Sequence, residues 1–370
     1  MFTQGANAQI PEILNKSYAN LKGMKTISYR TDFTDENPFN PGDISKGIIK
    51  TKISYDRNGV IDFMFEEMNK NFGQIITREI YKSGKRYTFD LTDSTFAVDD
   101  SNGGVKNELQ ESISGMLSLL KKEPLKIIQI MDTLLNGKTC YQFFVKAYDT
   151  INNGSHDYTF RTILIDKNLM IPIYYREMGS GTAFKAGYQI GGLKFFIEKR
   201  FTEIKINDVI NQDEIKVNGF HEINKNMLRV GEKAPIIDAI PIANDINNKR
   251  EATRSSVKLV VFGSTTCSAN PLSNPMLNKI QLRYADQPFS IVNIYTGDKV
   301  EQIASYVRNN KLKFPVYFGT RMLSSKFKTV GTPNFYLIDF DGKVAASVNG
   351  FYDALEKDLV TKIDALLKPN

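Results

Sequence analysis

Hydrophobic and polar positions alternate along most of the chain up to residue 220, and this pattern predicts β-strands. Ile27, Tyr29 and Phe33 stand on one side of such an alternation, as expected for a strand with one buried face. Asn58-Gly59 lies between two alternating stretches and is a preferred pair in tight hairpin turns. The alternating stretches are 27–33, 53–55, 61–65, 75–80, 87–91, 141–145, 158–165, 171–175 and 195–206. We therefore expect a strongly curved, mainly antiparallel sheet of the half-barrel kind.

One segment of this region has helical spacing instead. Leu109, Ile113, Met116 and Leu120 recur at intervals of three and four residues, and Pro124 follows them. That spacing places the four side chains on one face of a helix, and proline ends it. We predict a single amphipathic helix over 109–120, packed on the concave side of the sheet.

Beyond residue 227 the pattern changes to an alternation of strands and helices, which is typical of an α/β sandwich. The predicted strands are 258–262, 289–295 and 335–338, and the predicted helices are 275–284, 300–309 and 352–367. Asn218-Gly219, Asn224 and Asn226 interrupt the pattern between the two regions. We predict an α+β protein of two domains, an antiparallel β-rich domain over 9–220 and an α/β domain over 228–370.

Composition limits the classes of function. The chain has 370 residues, 41% hydrophobic, with a net charge of +7, and no stretch approaches the roughly 20 apolar residues that cross a bilayer. From residue 226 onward there are 19 Lys and Arg against 13 Asp and Glu. Within 311–328 the charged residues are all basic, which indicates a solvated face that also suits an acidic partner. No nucleic-acid-reading module is present, so we expect no nucleic-acid partner.

Cysteine and histidine are scarce. Cys140 and Cys267 are too few for a disulfide scaffold or a four-thiolate zinc site. His156 and His221 stand far apart and are interpreted as structural. We therefore predict neither a metal nor a cofactor. Cys140 lies in an aromatic strand and is interpreted as a small buried hydrophobic residue, not bonded to Cys267.

The beginning of the sequence bears on localisation. Ala6-Asn7-Ala8 followed by Gln9 resembles the small-residue end of a secretory signal, although the charged and apolar regions that precede such an end are absent from the sequence. The alternative is a polar, frayed terminus. We expect a periplasmic or otherwise exported protein whose signal peptide is truncated in the given sequence.

Several short segments of the second region, in order, resemble the thioredoxin-like family, and within it the exported TlpA-type thiol-disulfide oxidoreductases or redoxins. They are Val230-Gly231-Glu232-Lys233-Ala234-Pro235, Val260-Val261-Phe262, Phe314-Pro315-Val316, Val330-Gly331-Thr332-Pro333, Leu337-Ile338-Asp339 and Asp341-Gly342-Lys343-Val344. The resemblance covers about 140 residues. It implies a thioredoxin-like sandwich over 228–370 that acts on protein thiols or disulfides.

The family's attacking cysteine follows a central strand at the first turn of a helix, and Cys267 occupies that place. Family members usually read Trp-Cys-x-x-Cys, but here Thr266 replaces the tryptophan and Asn270 replaces the second cysteine. Ser273 stands where many exported members have a glutamate that acts as acid or base. The resemblance therefore implies Cys267 as the one catalytic thiol, working through mixed disulfides, because an amide cannot resolve a disulfide.

Thr332-Pro333 resembles the family's cis-proline loop, whose backbone lies beside the cysteine and pairs with an extended substrate. We predict substrate binding by Thr332, Pro333, Thr266 and Asn270. The same residues also fit a plain turn before the strand at 335–338.

Three alternatives stay open at this point. Ser264, three residues before Cys267, fits the hydroxyl spacing of peroxiredoxins, although their upstream proline is absent. A second alternative is a catalytically inactive thioredoxin-fold binding module. The β-rich region resembles the LolA-like half-barrels of periplasmic lipoprotein carriers in pattern only, which implies an apolar ligand or a lipoprotein partner there. The same aromatic alternation also fits the plain core of a sheet without a ligand.

Overall fold

The structure is a computed structural model, and its residues fall into two compact units. It describes residues 4–73, 75–99, 105–152, 154–185, 188–212, 215–222, 226–242 and 256–368. The first, the β-rich unit, comprises Met1–Glu36, Ile44–Gly181 and Lys194–Glu222. The second, the α/β unit, comprises Asn37–Asp43, Thr182–Leu193 and Ile223–Asn370. Residues 223–225, within the predicted domain boundary, lie outside the described residues. None of the helices in the described ranges is long and apolar enough to span a membrane.

In its described residues, the β-rich unit contains a twelve-stranded sheet and two helices. The helices are α1 (Gln4–Lys22) and α2 (Glu108–Lys122), and a 3-10 turn follows at Pro124–Lys126. The strands are β1 (Thr26–Glu36), β2 (Ile44–Tyr55), β3 (Ile61–Lys70), β4 (Ile75–Lys82), β5 (Lys85–Asp90), β6 (Thr95–Asp99), β7 (Ile127–Leu135), β8 (Lys138–Asn152), β9 (Ser155–Asp166), β10 (Ile171–Lys185), β11 (Tyr188–Ile206) and β12 (His221–Glu222). The strand order is β12-β6-β5-β4-β3-β2-β1-β11-β10-β9-β8-β7. The sheet is mainly antiparallel, with a parallel pair at β12–β6, and its edges are β12 and β7.

The predicted helix is confirmed as α2. It begins at Glu108 because the side chain of Asn107 accepts a hydrogen bond from the Leu109 N–H (3.0 Å), and it ends before Pro124. Its apolar face, including Ile113, packs with one face of the sheet in the core of the unit. The predicted alternation in β1 is also confirmed, since every second residue from Ile27 to Phe33 is buried.

The prediction of a single helix in this region was wrong. α1 spans 19 residues, and Ile10, Leu14 and Leu21 bury themselves in the same core as α2. Their spacing is helical, but the many polar residues between them led us to interpret the segment as a terminus. Residues 6–9, for which a polar, frayed terminus was the alternative to a signal end, lie within α1.

The α/β unit contains a six-stranded sheet and four helices in its described part. The strands are β13 (Ala239–Pro241), β14 (Val257–Gly263), β15 (Phe289–Tyr295), β16 (Val316–Gly319), β17 (Asn334–Ile338) and β18 (Val344–Asn349). The helices are α3 (Ala269–Arg283), α4 (Val300–Asn309), α5 (Arg321–Lys326) and α6 (Leu355–Leu367). The strand order is β13-β16-β15-β14-β17-β18. β14, β15 and β16 are parallel, whereas β17, β18 and β13 run antiparallel to their neighbours.

The continuous hydrophobic run of β14 follows from burial on both faces of this sheet. Leu259 and Val261 pack in a core with α3, α4 and α6, whereas Val260 and Phe262 pack on the other face with Leu323 of α5. The predicted strand 258–262 and helix 300–309 are thus confirmed. α3 begins six residues before the predicted start at 275, because its first turn tolerates Pro271 and the helix continues through Pro275.

Candidate functional site

Cys267 lies between the end of β14 and the beginning of α3. Its N–H donates to the Ser264 carbonyl (3.3 Å), and its own carbonyl accepts from the Asn270 N–H (3.2 Å), so the chain turns directly into the helix. The thiol is partly exposed. A helix N-terminus presents N–H groups without a partner in the helix and the positive end of the helix dipole. The predicted placement of Cys267 at a helix N-terminus is confirmed.

The loop before β17 lies directly beside this thiol. The Thr332-Pro333 peptide is cis, as predicted, and Cys267 Sγ donates to the Thr332 carbonyl oxygen at 3.0 Å. Asn334 holds the loop in place: its Oδ1 accepts from the Val330 N–H (2.8 Å) and its Nδ2 donates to Asn349 Oδ1 (2.8 Å). A backbone carbonyl from a well-held loop thus faces the thiol.

Asn270, at the place of a second cysteine, is buried with 3% of its surface exposed. Its Nδ2 donates to the Ser264 carbonyl (2.8 Å), while its buried Oδ1 has no hydrogen-bond partner among the described residues. A Cβ on Gly263 would lie 2.6 Å from this Nδ2, so the close approach requires a glycine at the end of β14. Ser273 is also buried and donates to the Asn270 carbonyl (2.8 Å). Neither side chain supplies a thiol or a carboxylate.

The remaining predicted site residues differ in exposure. Thr266 is exposed, Thr332 is partly exposed, and Pro333 is buried. Ser264 Oγ, the hydroxyl of the peroxiredoxin-like spacing, lies 3.0 Å from Thr266 Oγ1. Of these residues, the structure brings Thr332 against Cys267 through its backbone.

A carboxylate that the sequence analysis missed supports the turn before Cys267. Thr265 donates to Asp298 through its hydroxyl (2.5 Å) and through its N–H (3.2 and 3.3 Å). Burial raises the pKa of Asp298, and the nearby Asp43 carboxylate adds to that rise. The signal was available, because the segments that follow β14 and β15 must meet at the carboxyl edge of a parallel sheet.

Neither histidine nor carboxylate groups form a candidate metal centre in the described residues, where no cluster of three or more His, Cys, Asp and Glu side chains occurs. His156 is exposed and its Nε2 lies 2.7 Å from Asp149 Oδ1. Cys140 is fully buried in β8, and both cysteines are free thiols.

Comparison with known proteins gives the class of the α/β unit. No protein-family model matches the chain. A curated thiol-disulfide oxidoreductase ResA from Bacillus cereus is 23% identical over 132 residues, which are 34% of this chain and 73% of that protein. Together with the strand order and the loop beside Cys267, this similarity gives a thioredoxin-like fold of the thiol-disulfide oxidoreductase type over about a third of the chain.

Similar solved structures carry related descriptions. The crystal structure of a putative thiol:disulfide interchange protein DsbE from Chlorobium tepidum has 24% identity and a TM-score of 0.33, and covers 38% of this chain and 99% of that chain. The solution structure of a putative protein disulfide isomerase from Bacteroides thetaiotaomicron has 20% identity and a TM-score of 0.34, with coverages of 38% and 92%.

Proposed function

We propose that the chain carries out thiol-disulfide exchange through the single thiol of Cys267, by way of mixed disulfides. One observation carries the proposal: a partly exposed cysteine lies in the turn just before a helix, and the position three residues later holds a buried amide bonded to the Ser264 carbonyl. The similarity to a thiol-disulfide oxidoreductase supports redox chemistry in general.

The chemistry is a balanced exchange. The Cys267 thiolate attacks one sulfur of a substrate disulfide, a new S–S bond forms to Cys267, and the second substrate sulfur leaves as a thiolate that takes up a proton. No net oxidation or reduction occurs in this step. Because Asn270 has no sulfur, release of the adduct requires an outside thiol, which attacks the mixed disulfide and returns Cys267 to its reduced form.

The other predicted site residues take different roles in this proposal. The backbone of Thr332-Pro333 pairs with an extended substrate next to Cys267, and the exposed side chain of Thr266 borders the same approach. A buried side chain does not reach substrate without movement of the loop, so we assign Asn270 to holding the turn.

Substrate class and location are part of the same proposal. We infer protein thiols or disulfides as substrates, in an exported compartment where disulfides persist. The similarity to a curated thiol-disulfide oxidoreductase supports this substrate class. Export is tested by fractionating cells that produce the full-length protein, and we expect the protein outside the cytoplasm.

We propose residues 9–220 and 228–370 as the two domains.

The decisive experiment compares Cys267→Ser with Cys140→Ser, a matched loss of the other thiol. Each is incubated with an oxidised dithiol peptide and separated without reduction. We expect wild type and Cys140→Ser to form a mixed disulfide that dithiothreitol releases, and Cys267→Ser to form none. If wild-type Cys267 stays unmodified, the redox proposal fails and the inactive binding module replaces it. Multiple turnover without added thiol would contradict the monothiol step.

For the β-rich unit we propose an apolar ligand or the lipid part of a lipoprotein. A cavity of about 330 Å³ supports this proposal, with Met116 and Phe201 in its lining and Arg161 and Lys199 also beside it. A Cβ on Gly115, which also lines the cavity, would meet nothing within 4 Å. We therefore expect a Gly115→Leu variant to lose fluorescence enhancement of 1-N-phenylnaphthylamine, and unchanged enhancement would contradict this site.

A further inference from the structure

Seven residues from the connection between β1 and β2 are part of the α/β unit. Asn37–Asp43 clusters with that unit although it precedes β14 by more than two hundred residues in the chain. The segment closes on itself, because the Asn37 N–H donates to the Asp43 carbonyl (2.9 Å) and Asn37 Oδ1 accepts from the Phe39 N–H (3.0 Å). Hydrogen bonds within the segment therefore define the conformation of this loop.

Buried amide groups attach this loop to α4. Asn40 is fully buried, and its Oδ1 accepts from Ser305 Oγ (3.1 Å) and Asn309 Nδ2 (2.9 Å). Gln302 Nε2 donates to Asp43 Oδ1 (2.8 Å), and Asn310 Nδ2 donates to the Phe39 carbonyl (3.0 Å). Because Asn40 is fully buried, breaking its bonds would leave an unsatisfied group, so this residue fixes the arrangement of the loop on α4.

The loop also reaches the turn that carries Cys267. Asn37 is buried, and its Nδ2 donates to the Thr265 carbonyl at 2.9 Å. Asp298 holds the N–H and hydroxyl of the same Thr265. All three polar groups of Thr265, two residues before Cys267, are thus bonded to side chains from two other parts of the unit.

This arrangement has a consequence for the thiol. The position of Cys267 Sγ relative to the N-terminus of α3 and to the Thr332 carbonyl depends on the turn that begins at Thr265. Without the Asn37 bond, the Thr265 carbonyl loses its buried donor, while the bonds of the Thr265 N–H and hydroxyl to Asp298 remain. Thiolate stabilisation at a helix N-terminus falls off within the first turn, so a small displacement matters.

We propose that Asn37 is a positioning residue for Cys267, holding the Thr265 carbonyl so that the thiol stays at the N-terminus of α3. This inference rests on the proposed chemistry of Cys267 and adds to it a loop from the β1–β2 connection. Asn37 does not touch substrate in this proposal. Its effect passes through the backbone of residues 265–267.

The test uses the full chain and three variants. Asn37→Ala removes the bond to Thr265, and Asn37→Asp keeps the acceptor for Phe39 while losing the donor. Asn310→Ala is the matched control, because it removes an amide bond to the same loop at Phe39 without contacting Thr265. Alkylation of Cys267 by iodoacetamide is followed by peptide mass spectrometry at pH 7 and pH 9.

We expect both Asn37 variants to alkylate roughly tenfold more slowly than wild type at pH 7, and Asn310→Ala within about twofold. At pH 9, where most of an ordinary cysteine thiol is ionised, we expect all four proteins to react within about twofold of each other. If the variants only disturbed the fold around the thiol, their alkylation rates would differ from that of wild type by the same factor at pH 7 and at pH 9. Asn37→Asp keeps the test valid if the alanine variant does not fold.

Several outcomes would overturn the inference. Asn37 variants that alkylate like wild type at pH 7 would do so, as would an equal slowing by Asn310→Ala or a difference that persists at pH 9. Failure of the proposed function has a different signature. If wild type forms no mixed disulfide but the pH-dependent alkylation difference is present, thiol-disulfide exchange is excluded while the positioning role of Asn37 stands.

Discussion

The two cysteines of this chain have opposite surroundings. Cys140 lies in the middle of a sheet, fully buried beside Leu164 and Ile173, and its Sγ donates to the Lys138 carbonyl at 3.4 Å. Burial raises the pKa of the Cys140 thiol, and the neighbouring Asp166 charge raises it further. Cys267 is partly exposed where a strand passes into a helix. A cysteine side chain therefore fills the hydrophobic core in the β-rich unit and is a candidate nucleophile in the α/β unit.

The difference teaches that backbone position, more than residue type, creates the candidate chemistry. A strand pairs most of its N–H groups with neighbouring strands, whereas the first N–H groups of a helix have no partner within the helix. Both thiols have a buried carboxylate nearby in the fold. Asp166 accepts from the N–H groups of Asn168 and Leu169, whereas Asp298 accepts from Thr265 in the turn before Cys267.

The largest expected effect is the difference in reactivity between the two thiols. In the native protein at pH 7 we expect iodoacetamide to modify Cys267 at least roughly a hundredfold faster than Cys140, because Cys140 reacts only after local unfolding. In 8 M urea the two rates should agree within about threefold. Peptide mass spectrometry over time measures both. Equal alkylation rates of Cys267 and Cys140 in the native protein would contradict the proposed difference between the two thiols.

A second thiol at position 270 should change the fate of the adduct. In Asn270→Cys, the new cysteine lies three residues from Cys267 in the first turn of α3, so its attack on the mixed disulfide is intramolecular. We expect the adduct to be released at least roughly tenfold faster than in wild type. Release is followed by non-reducing electrophoresis after excess substrate is removed.

Asn270→Ser is the control for this change. It also loses the amide bond to the Ser264 carbonyl but has no thiol, so its adduct should persist as in wild type. If Asn270→Cys and Asn270→Ser release the adduct at the same rate, the amide at this position is not what limits the cycle.

Much of the fold was predictable because local patterns decided it. Alternation predicted β1, and helical spacing predicted α2, since each buries one face against a core. α1 was not predicted, because its buried residues are separated by polar ones and its packing partner is α2, far away in sequence. The thioredoxin-like segments were recognisable in order, and the run of β14 reflected burial on both sides.

The candidate site was predictable only in part. Cys267 and the Thr332-Pro333 loop followed from a resemblance, and the structure places the thiol against the Thr332 carbonyl. Asp298 and Asn37 were missed, because each contacts Thr265 across a large separation in sequence. Tertiary hydrogen bonds leave no periodic signal in the sequence, so no local pattern pointed to Asn37, whereas the order of the parallel strands could have pointed to Asp298.

The smallest expected effect concerns the carboxylate beside the Cys267 turn. Burial raises the pKa of Asp298 in the folded protein, so the folded state keeps a proton that the unfolded state has lost. The folded state then binds more protons, and the contribution of this group to stability falls as pH rises from the ordinary aspartate value, about 3.9, through the raised folded value. Asp298→Asn cannot ionise but keeps an oxygen for Thr265. We therefore expect its free energy of unfolding, measured in urea from pH 4 to pH 8, to rise relative to wild type with increasing pH.

Asp286→Asn, which changes an exposed carboxylate of the same unit, should leave the pH profile parallel to wild type. A parallel profile for Asp298→Asn as well would show that burial does not perturb this group.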